Sequence, residues 1–219
     1  MSGEKTGVIE YSKLKSIKLK SGFIFKRRRD PSEDLDAEIR HFCSEQRPRF
    51  NSIVASTFDL PDDGFTKFEF IWTPKRARIV SGGSDYIDTT KVAFRSEADI
   101  TLLYLKERSL ILFNTKYRFA VTEPGCGGNG TIFHTGGTNF TLEEIYFNKI
   151  TTVGAYHNEE IFKVVSPGCG GGTETNYTVM KDGFVIRAGE SFRIVASEDA
   201  TDELRDARQL INQKISTSN

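Results

Sequence analysis

The sequence predicts a mainly β protein of the α+β class, in which an antiparallel meander or barrel-like sheet is capped by a carboxy-terminal amphipathic helix and preceded by an amino-terminal α+β region. Short runs that alternate between apolar and polar residues recur along the chain, as in residues 65–72 (FTKFEFIW), and alternation of this kind is typical of half-buried strands. Apolar positions between 199 and 215 instead recur at helical spacing. With 37% hydrophobic and 27% charged residues, the 219-residue chain can form an ordinary core.

The amino-terminal region begins with a basic segment. Residues 1–29 hold nine basic and two acidic side chains, whereas residues 30–64 hold nine acidic and three basic ones. The apolar positions of the segment favour strands near residues 17–20 and 22–26. A basic block of this kind can bind a phosphate backbone or an anionic membrane surface. It can equally pair with the acidic block that follows it. The candidate anion-binding residues are Lys18, Lys20, Lys26, Arg27, Arg28 and Arg29.

A first helix is predicted over residues 33–46. Ser32 can cap its amino terminus, two acidic residues occupy its first turn, and Leu35, Ile39 and Phe42 fall on one face. Pro48 is expected to end it. Cys43 is interpreted as a buried apolar side chain rather than a nucleophile.

Strands follow at residues 65–72 and 76–80, and the segment Ser81-Gly82-Gly83-Ser84-Asp85 is the best candidate for a domain boundary. The predicted division is therefore residues 1–85, with the basic segment, helix and strands, and residues 86–219, a β domain with the closing helix. Beyond the boundary, nine strands are expected, at residues 100–105, 110–113, 117–121, 131–134, 150–156, 161–165, 177–180, 184–187 and 191–196. Turns are expected at 114–116 and at Lys181-Asp182-Gly183, and one helical turn at 141–145.

The last part of this pattern resembles the pleckstrin-homology-like (PH-like) domain of the short bacterial type. The resemblance covers residues 90–216 and rests on two stretches, TLEEIYFNKITTV, where a strand follows a short helical turn, and FRIVASEDATDELRDARQLI, where a final strand leads into the closing helix. It implies a binding and assembly module without catalytic residues. The long Gly-rich loops and the first 85 residues depart from the family pattern.

One pentapeptide, Pro-Gly-Cys-Gly-Gly, occurs twice, and each copy follows an apolar strand. Glycines on both sides of each cysteine permit positive φ angles and expose backbone N–H groups, so such loops can contact an anion or a partner. The candidate binding residues are Gly125, Cys126, Gly127, Gly128, Gly168, Cys169, Gly170 and Gly171.

Three chemical alternatives exist for these loops. Cys126 and Cys169 could form a disulfide if they lie together, although a reducing cytosol opposes it. They could join His134 and His157 in a zinc site, although the spacing matches no familiar finger. A nucleophilic cysteine would need one of these histidines as its base. Against all three stands the interpretation that the loops carry no chemistry.

The sequence therefore favours a non-enzymatic module that recognises a protein partner, or a second copy of itself, through sheet edges and Gly-rich loops, without a cofactor. The alternatives are an anion-binding protein that uses residues 13–29 on nucleic acid or membrane lipid, and a cysteine-dependent enzyme or zinc-binding protein. No apolar run is long enough to span a bilayer, and the first ten residues lack the apolar stretch of a secretory signal. We expect a cytoplasmic protein.

Overall fold

The described part of the chain folds into two antiparallel sheets and two long helices. The computed structural model describes residues 12–18, 31–60, 64–74, 86–87, 90–122, 129–166 and 173–218. The strands are β1 (Ser12–Lys18), β2 (Thr66–Trp72), β3 (Tyr86–Ile87), β4 (Thr90–Leu105), β5 (Ser109–Thr122), β6 (Asn129–Tyr146), β7 (Thr152–Ser166), β8 (Thr173–Ala188) and β9 (Glu190–Ala196). The helices are α1 (Pro31–Phe58) and α2 (Thr201–Ser218), with 3₁₀ helices at Phe147–Lys149 and Glu198–Ala200. The predicted fold class is confirmed.

The larger sheet has the strand order β1-β6-β5-β4-β2, with the short β3 paired to the start of β4. The smaller sheet has the order β7-β8-β9. The two sheets meet where β2 and β9 end, because the backbone N–H of Ser197 donates to the carbonyl oxygen of Ile71 at 3.3 Å. The Ser197 hydroxyl donates to the same oxygen at 3.1 Å.

The larger sheet is covered on both faces. Ile100, Leu102 and Tyr104 of β4 belong to the core under α1, whereas Leu103 and Leu105 belong to the core formed with β8, β9 and α2. Successive side chains of a strand point to opposite faces, so a strand covered on both sides is apolar at nearly every position. This explains the runs ITLLYL and LILF in the sequence.

Helix α1 does not end at Pro48, as predicted, but continues to Phe58 with Pro48 exposed inside it. A proline inside a helix removes one hydrogen bond and costs about 3 kcal/mol. Phe50 and Val54, which follow it, are fully buried, and burial contributes about 1.5 to 3 kcal/mol for each such side chain. The contact of these two residues with the sheet therefore offsets the proline. Cys43 is buried as predicted, and burial raises the pKa of its thiol to about 12.

The turns predicted at 114–116 and 181–183 and the helical turn predicted at 141–145 are wrong, because β5, β8 and β6 run through them without a break. Polar side chains that favour turns are bonded here between strands. The Asn114 amide donates to the Thr101 hydroxyl at 2.8 Å, and the Thr115 hydroxyl donates to the carbonyl oxygen of Asn139 at 3.0 Å. The only helical residues near the third site are Phe147–Lys149, between β6 and β7.

The expected strands at 22–26 and 76–80 and the expected boundary at 81–85 lie outside the described residues. On either side of that boundary, β2 and β4 are neighbours in one sheet, with Trp72 opposite Asp99 and Thr66 opposite Leu105. Within the described part of the chain, neither helix combines the length and the apolar content that crossing a membrane requires.

Candidate functional site

The most distinctive part of the molecule is the junction where β2 and β9 end. Trp72, the last residue of β2, pairs with Asp99, and Ala196, the last residue of β9, pairs with Asp182. The neighbouring strands continue past these ends: residues 90–98 of β4 extend beyond β2, and residues 173–181 of β8 extend beyond β9. Past the junction, the larger sheet continues through β4, β5 and β6 under α1, whereas the smaller sheet continues as a two-stranded ribbon of β7 and β8.

An ion pair joins the base of the β7–β8 ribbon to the larger sheet. The Nζ atom of Lys181 on β8 lies 2.7 Å from Oε1 of Glu97 on β4, and it lies 4.3 Å from the centroid of the Trp72 ring. Burial alone would raise the pKa of the Glu97 carboxyl, but the hydrogen bond from Lys181 and the charge of Lys116 bring it below its ordinary value. Lys181 is itself 8% exposed. The pair is therefore a fixed contact between the sheets.

Gly183 explains why β8 continues through the Lys181-Asp182-Gly183 triplet. A Cβ atom at position 183 would lie 1.9 Å from the carbonyl oxygen of Ile194 on β9. The glycine therefore permits a close approach of two backbones, which is a recognised role of glycine inside a strand. Asp182 is also paired across strands, since its Oδ1 lies 2.6 Å from Nδ1 of His157 on β7.

A cavity of about 100 Å³ opens between β8, the end of β9 and the start of α2. Two hydrogen bonds connect residues that line it. The Thr73 N–H donates to the Ser197 hydroxyl oxygen at 3.2 Å, and the Thr201 hydroxyl donates to the carbonyl oxygen of Glu198 at 2.7 Å. The lining residues are Trp72, Thr73, Thr178, Met180, Asp182, Ala196, Ser197, Glu198, Thr201 and Leu204.

The cavity combines an apolar wall with hydrogen-bond acceptors. Trp72 and Leu204 are buried, and Met180 is 41% exposed. Asp182 and Glu198 bring carboxylates, and the Thr73 hydroxyl oxygen is buried without a hydrogen-bond partner in the described part of the chain. A buried polar group without a partner is costly and normally finds one in a bound water or ligand. Of the two carboxylates, that of Asp182 is already paired with His157, with 2.6 Å between Oδ1 and Nδ1.

The Gly-rich loops predicted as binding sites, residues 125–128 and 168–171, lie outside the described residues, but the strands that lead into them are described. From Lys181, β8 extends eight residues to Thr173, and from Arg118, the register partner of Glu97, β5 extends four residues to Thr122. At about 3.4 Å per residue these lengths are about 27 and 14 Å. The described ends of these two strands, Thr173 and Thr122, therefore lie at different distances along the chain from the Lys181–Glu97 contact.

The two histidines of the predicted zinc site lie on different sheets and have different neighbours. His134 on β6 lies against the Phe42 ring of α1, with 4.5 Å between the ring centroids, and burial lowers its pKa. His157 on β7 is exposed and paired with Asp182. Cys126 and Cys169 lie outside the described residues. Among the residues that are described, no group of three or more His, Cys, Asp or Glu side chains is arranged to hold a metal ion.

Of the candidate anion-binding residues, Lys18 belongs to β1, and Lys20, Lys26 and Arg27–Arg29 lie outside the described residues. One contact supports pairing between the basic and acidic blocks, since Nζ of Lys15 lies 2.6 Å from Oε1 of Glu38 on α1. Anion binding by the basic segment stays a prediction.

Sequence reasoning missed the junction itself. From the sequence, Trp72 is only the last residue of a predicted strand and Asp182 only part of a predicted turn. One signal was present: Thr178, Met180 and Asp182 alternate, and they share a face once residues 181–183 are assigned to a strand. Contact with Ser197 and Glu198 depends on the docking of β9 against β2, for which the sequence carries no local pattern.

Comparison of the chain with protein-family models, with curated proteins and with solved structures finds no significant match in any of the three.

Proposed function

We propose that this chain is a non-enzymatic, PH-like binding module that recognises a protein partner by adding an extended strand of that partner to the free edge of β7. Strand addition uses the unpaired backbone N–H and C=O groups of a sheet edge for affinity, and neighbouring pockets for specificity. The observation that carries the proposal is the length and regularity of β7.

Strand β7 comprises 15 residues, Thr152–Ser166, and pairs with β8 over its whole length without a register shift. In the part of the chain that is described, β7 has β8 as its only strand neighbour. Strands usually have about 5 or 6 residues, and exposed edges are usually blunted by bulges, prolines, charged side chains or short length. The sequence TVGAYHNEEIFKVVS contains no proline, and its charged residues are confined to Glu159, Glu160 and Lys163. A long and regular edge of this kind is a template for another strand.

The order of elements supports the PH-like part of the proposal. Strands β2, β4, β5 and β6 are sequential neighbours in the larger sheet, and β7, β8 and β9 form a second meander. The last strand then leads through one 3₁₀ turn into α2, whose buried Leu204, Ala207 and Ile211 cover the core between the sheets. In this proposal the Gly-rich loop that directly follows β7 is a second contact surface for the partner.

Two proline variants test strand addition. Consecutive residues of an antiparallel edge strand direct their N–H groups alternately toward the neighbouring strand and away from it. Gly154→Pro and Ala155→Pro lie at adjacent positions on β7, so one of them removes an outward N–H and the other removes an N–H bonded to β8. The probe is a display library of short random peptides, selected on the unmodified protein.

We expect the selected peptides to be rich in β-branched and aromatic residues, as in a strand. One variant should keep a thermal unfolding midpoint near that of the parent and should no longer bind the selected peptides. The other variant should unfold at a lower temperature. Peptides that bind the stable proline variant as tightly as they bind the parent would overturn the proposal. So would a selection that yields no peptide whose binding depends on β7.

A further inference from the structure

We infer that the partner strand carries an aromatic residue opposite Gly154 of β7, and that its ring lies over this glycine against Val185 of β8. This inference rests on the proposed function and deepens it, because it names the side chain that the added strand brings to the edge. The observation that carries it is a glycine in the edge strand for which the described part of the chain shows no structural need.

Gly154 is required neither by the backbone nor by packing. Its φ angle lies outside the positive range that favours glycine. Among the described residues, a Cβ atom at this position would meet only Cγ1 of Val185, at 3.5 Å, which is an ordinary van der Waals contact. Glycine inside a strand costs stability, and it often marks a place where a ligand or another backbone approaches closely. Gly154 therefore points to an approach by another molecule.

The space over Gly154 is on the face of the smaller sheet that α2 does not cover. Gly154 pairs with Val185, whose neighbours Phe184 and Ile186 belong to the core formed with α2. Because successive side chains of a strand alternate, Val185 is directed to the opposite face, and a side chain at position 154 would be directed there too. Val185 and Gly154 are both half-buried, so an apolar side chain lies beside a stretch of edge backbone that no side chain covers.

The next residues of β7 on this face leave the space open. Tyr156 pairs with Gly183, and its ring is directed toward β9, since Cζ of Arg193 lies 5.4 Å from the ring centroid. Thr152, on the other side, is short and exposed. At about 3.4 Å per residue, Thr152 and Tyr156 are about 14 Å apart along the strand. One aromatic ring fits between them over Gly154.

An aromatic side chain on the added strand has the reach that this position needs. The added strand lies one strand spacing from β7, and opposite Cβ positions in an antiparallel pair are about 4.5–5.5 Å apart. Aromatic and long side chains extend beyond that distance, whereas β-branched side chains end close to their own backbone. A ring laid over an edge glycine is a recognised way of stabilising such a position in a sheet. The ring would reach Gly154 and the Val185 side chain that leans toward it.

The charges on this face favour an aromatic residue over the long basic ones. Arg187 pairs with Thr152 and therefore shares the face with Val185. It is exposed, and it has no acidic partner among the described residues. A lysine or arginine on the partner would be repelled by this charge, whereas the face of an aromatic ring attracts a guanidinium group. Long uncharged side chains such as methionine lose more rotamer freedom on binding than a ring does.

The probes are the peptides selected on the unmodified protein whose binding depends on β7. We expect each of them to carry an aromatic residue at one fixed position, and replacement of that residue by alanine should weaken binding at least fivefold. Gly154→Val fills the space over the edge and should also weaken binding at least fivefold. Ala155→Val is the matched control, because Ala155 is exposed on the other face of the same strand, and it should leave binding within twofold. If Gly154→Val unfolds at a lower temperature than the parent, Gly154→Ala replaces it, with an expected loss of at least threefold.

A ring over Gly154 also has a spectroscopic signature that a merely structural role of the glycine would not give. The methyl resonances of Val185 in a ¹H–¹³C spectrum are identified by their absence from the Val185→Ile variant. Binding of a selected peptide should shift them upfield through the ring current. The same peptide with cyclohexylalanine in place of the aromatic residue should not produce this shift.

A smaller loss of binding in the glycine variants, or no ring-current shift at Val185, would overturn the inference while strand addition stands. So would peptides that depend on β7 but share no aromatic position. Failure of the proposed function is a different result: no selected peptide would then depend on β7 in the proline variants, and the inference would be rejected together with strand addition.

Discussion

The ion pair between Lys181 and Glu97 should contribute more to stability than other charged contacts of this chain. Removal of one partner from a buried pair costs about 3 to 5 kcal/mol, because the other charge stays buried. The Glu97 side chain is 30% exposed and keeps Lys116 at 3.6 Å, which favours the lower end of that range. The lost contact with the Trp72 ring adds a smaller cost. We therefore expect Lys181→Met to lower the free energy of unfolding by about 3 kcal/mol.

Urea unfolding at neutral pH measures this effect. Lys116→Met is the matched control, because its side chain is 45% exposed and exposed pairs contribute about 1 kcal/mol or less. The double variant Lys181→Met/Glu97→Gln removes both charges, so it should recover part of the loss. A Lys181→Met protein as stable as the Lys116→Met protein, or a double variant no more stable than Lys181→Met, would refute the reasoning.

The effect should also depend on pH. The pKa of Glu97 is lowered in the folded state from an ordinary value of 4.5, so the folded state binds this proton less tightly than the unfolded state does. The stability from the pair is therefore fully present above the ordinary pKa and is lost as the pH falls through the folded pKa. We expect the difference between the unmodified protein and Lys181→Met to narrow below about pH 4.

Three further outcomes are expected. Gly183→Ala should lower the free energy of unfolding, measured by urea unfolding, by about 1 to 3 kcal/mol, because a Cβ there would lie 1.9 Å from the Ile194 carbonyl oxygen. Gly154→Ala should show no such loss, because among the described residues its Cβ would meet only Val185, at 3.5 Å. In a variant whose other cysteines are replaced by serine, Cys43 should react with Ellman's reagent only after unfolding, since its pKa is about 12 and its side chain is buried; rapid labelling of the folded protein would contradict this. Light scattering at high concentration should detect self-association that decreases in the stable proline variant of β7, and a single 24.6 kDa species for the unmodified protein would count against it.

The elements that could be predicted from the sequence are those that bury one face, because their apolar residues then recur at the spacing of a strand or of a helix. Strand β2 alternates because one face packs on the core, and α2 shows helical spacing because Leu204, Ala207 and Ile211 share a buried face. The end of α1 could not be predicted, because Pro48 is a strong local stop signal. Only the sheet under Phe50 and Val54 makes continuation favourable, and that sheet is formed by residues far along the chain.

The same reason explains the missed turns. Asn114 and the triplet at 181–183 have the composition of turns, but a turn at either place would break a long strand whose flanking residues are buried. The free energy of this local preference for a turn is small compared with the free energy gained by burying β5 on both faces. The candidate site could be predicted even less, because Thr73, Asp182 and Glu198 come from three separate stretches of the chain. Docking of β9 against β2 brings them together.

The junction also explains how the long β7 edge remains ordered. A two-stranded ribbon is marginally stable in water by itself, and residues 173–181 of β8 extend past the end of β9 without that neighbour. Lys181 fixes the base of this ribbon to Glu97 of the other sheet and lies over Trp72. Because that base is held, the β7 edge is kept in place, and in the proposed strand addition less conformational entropy would be lost on binding. Stability and recognition would then depend on the same contact.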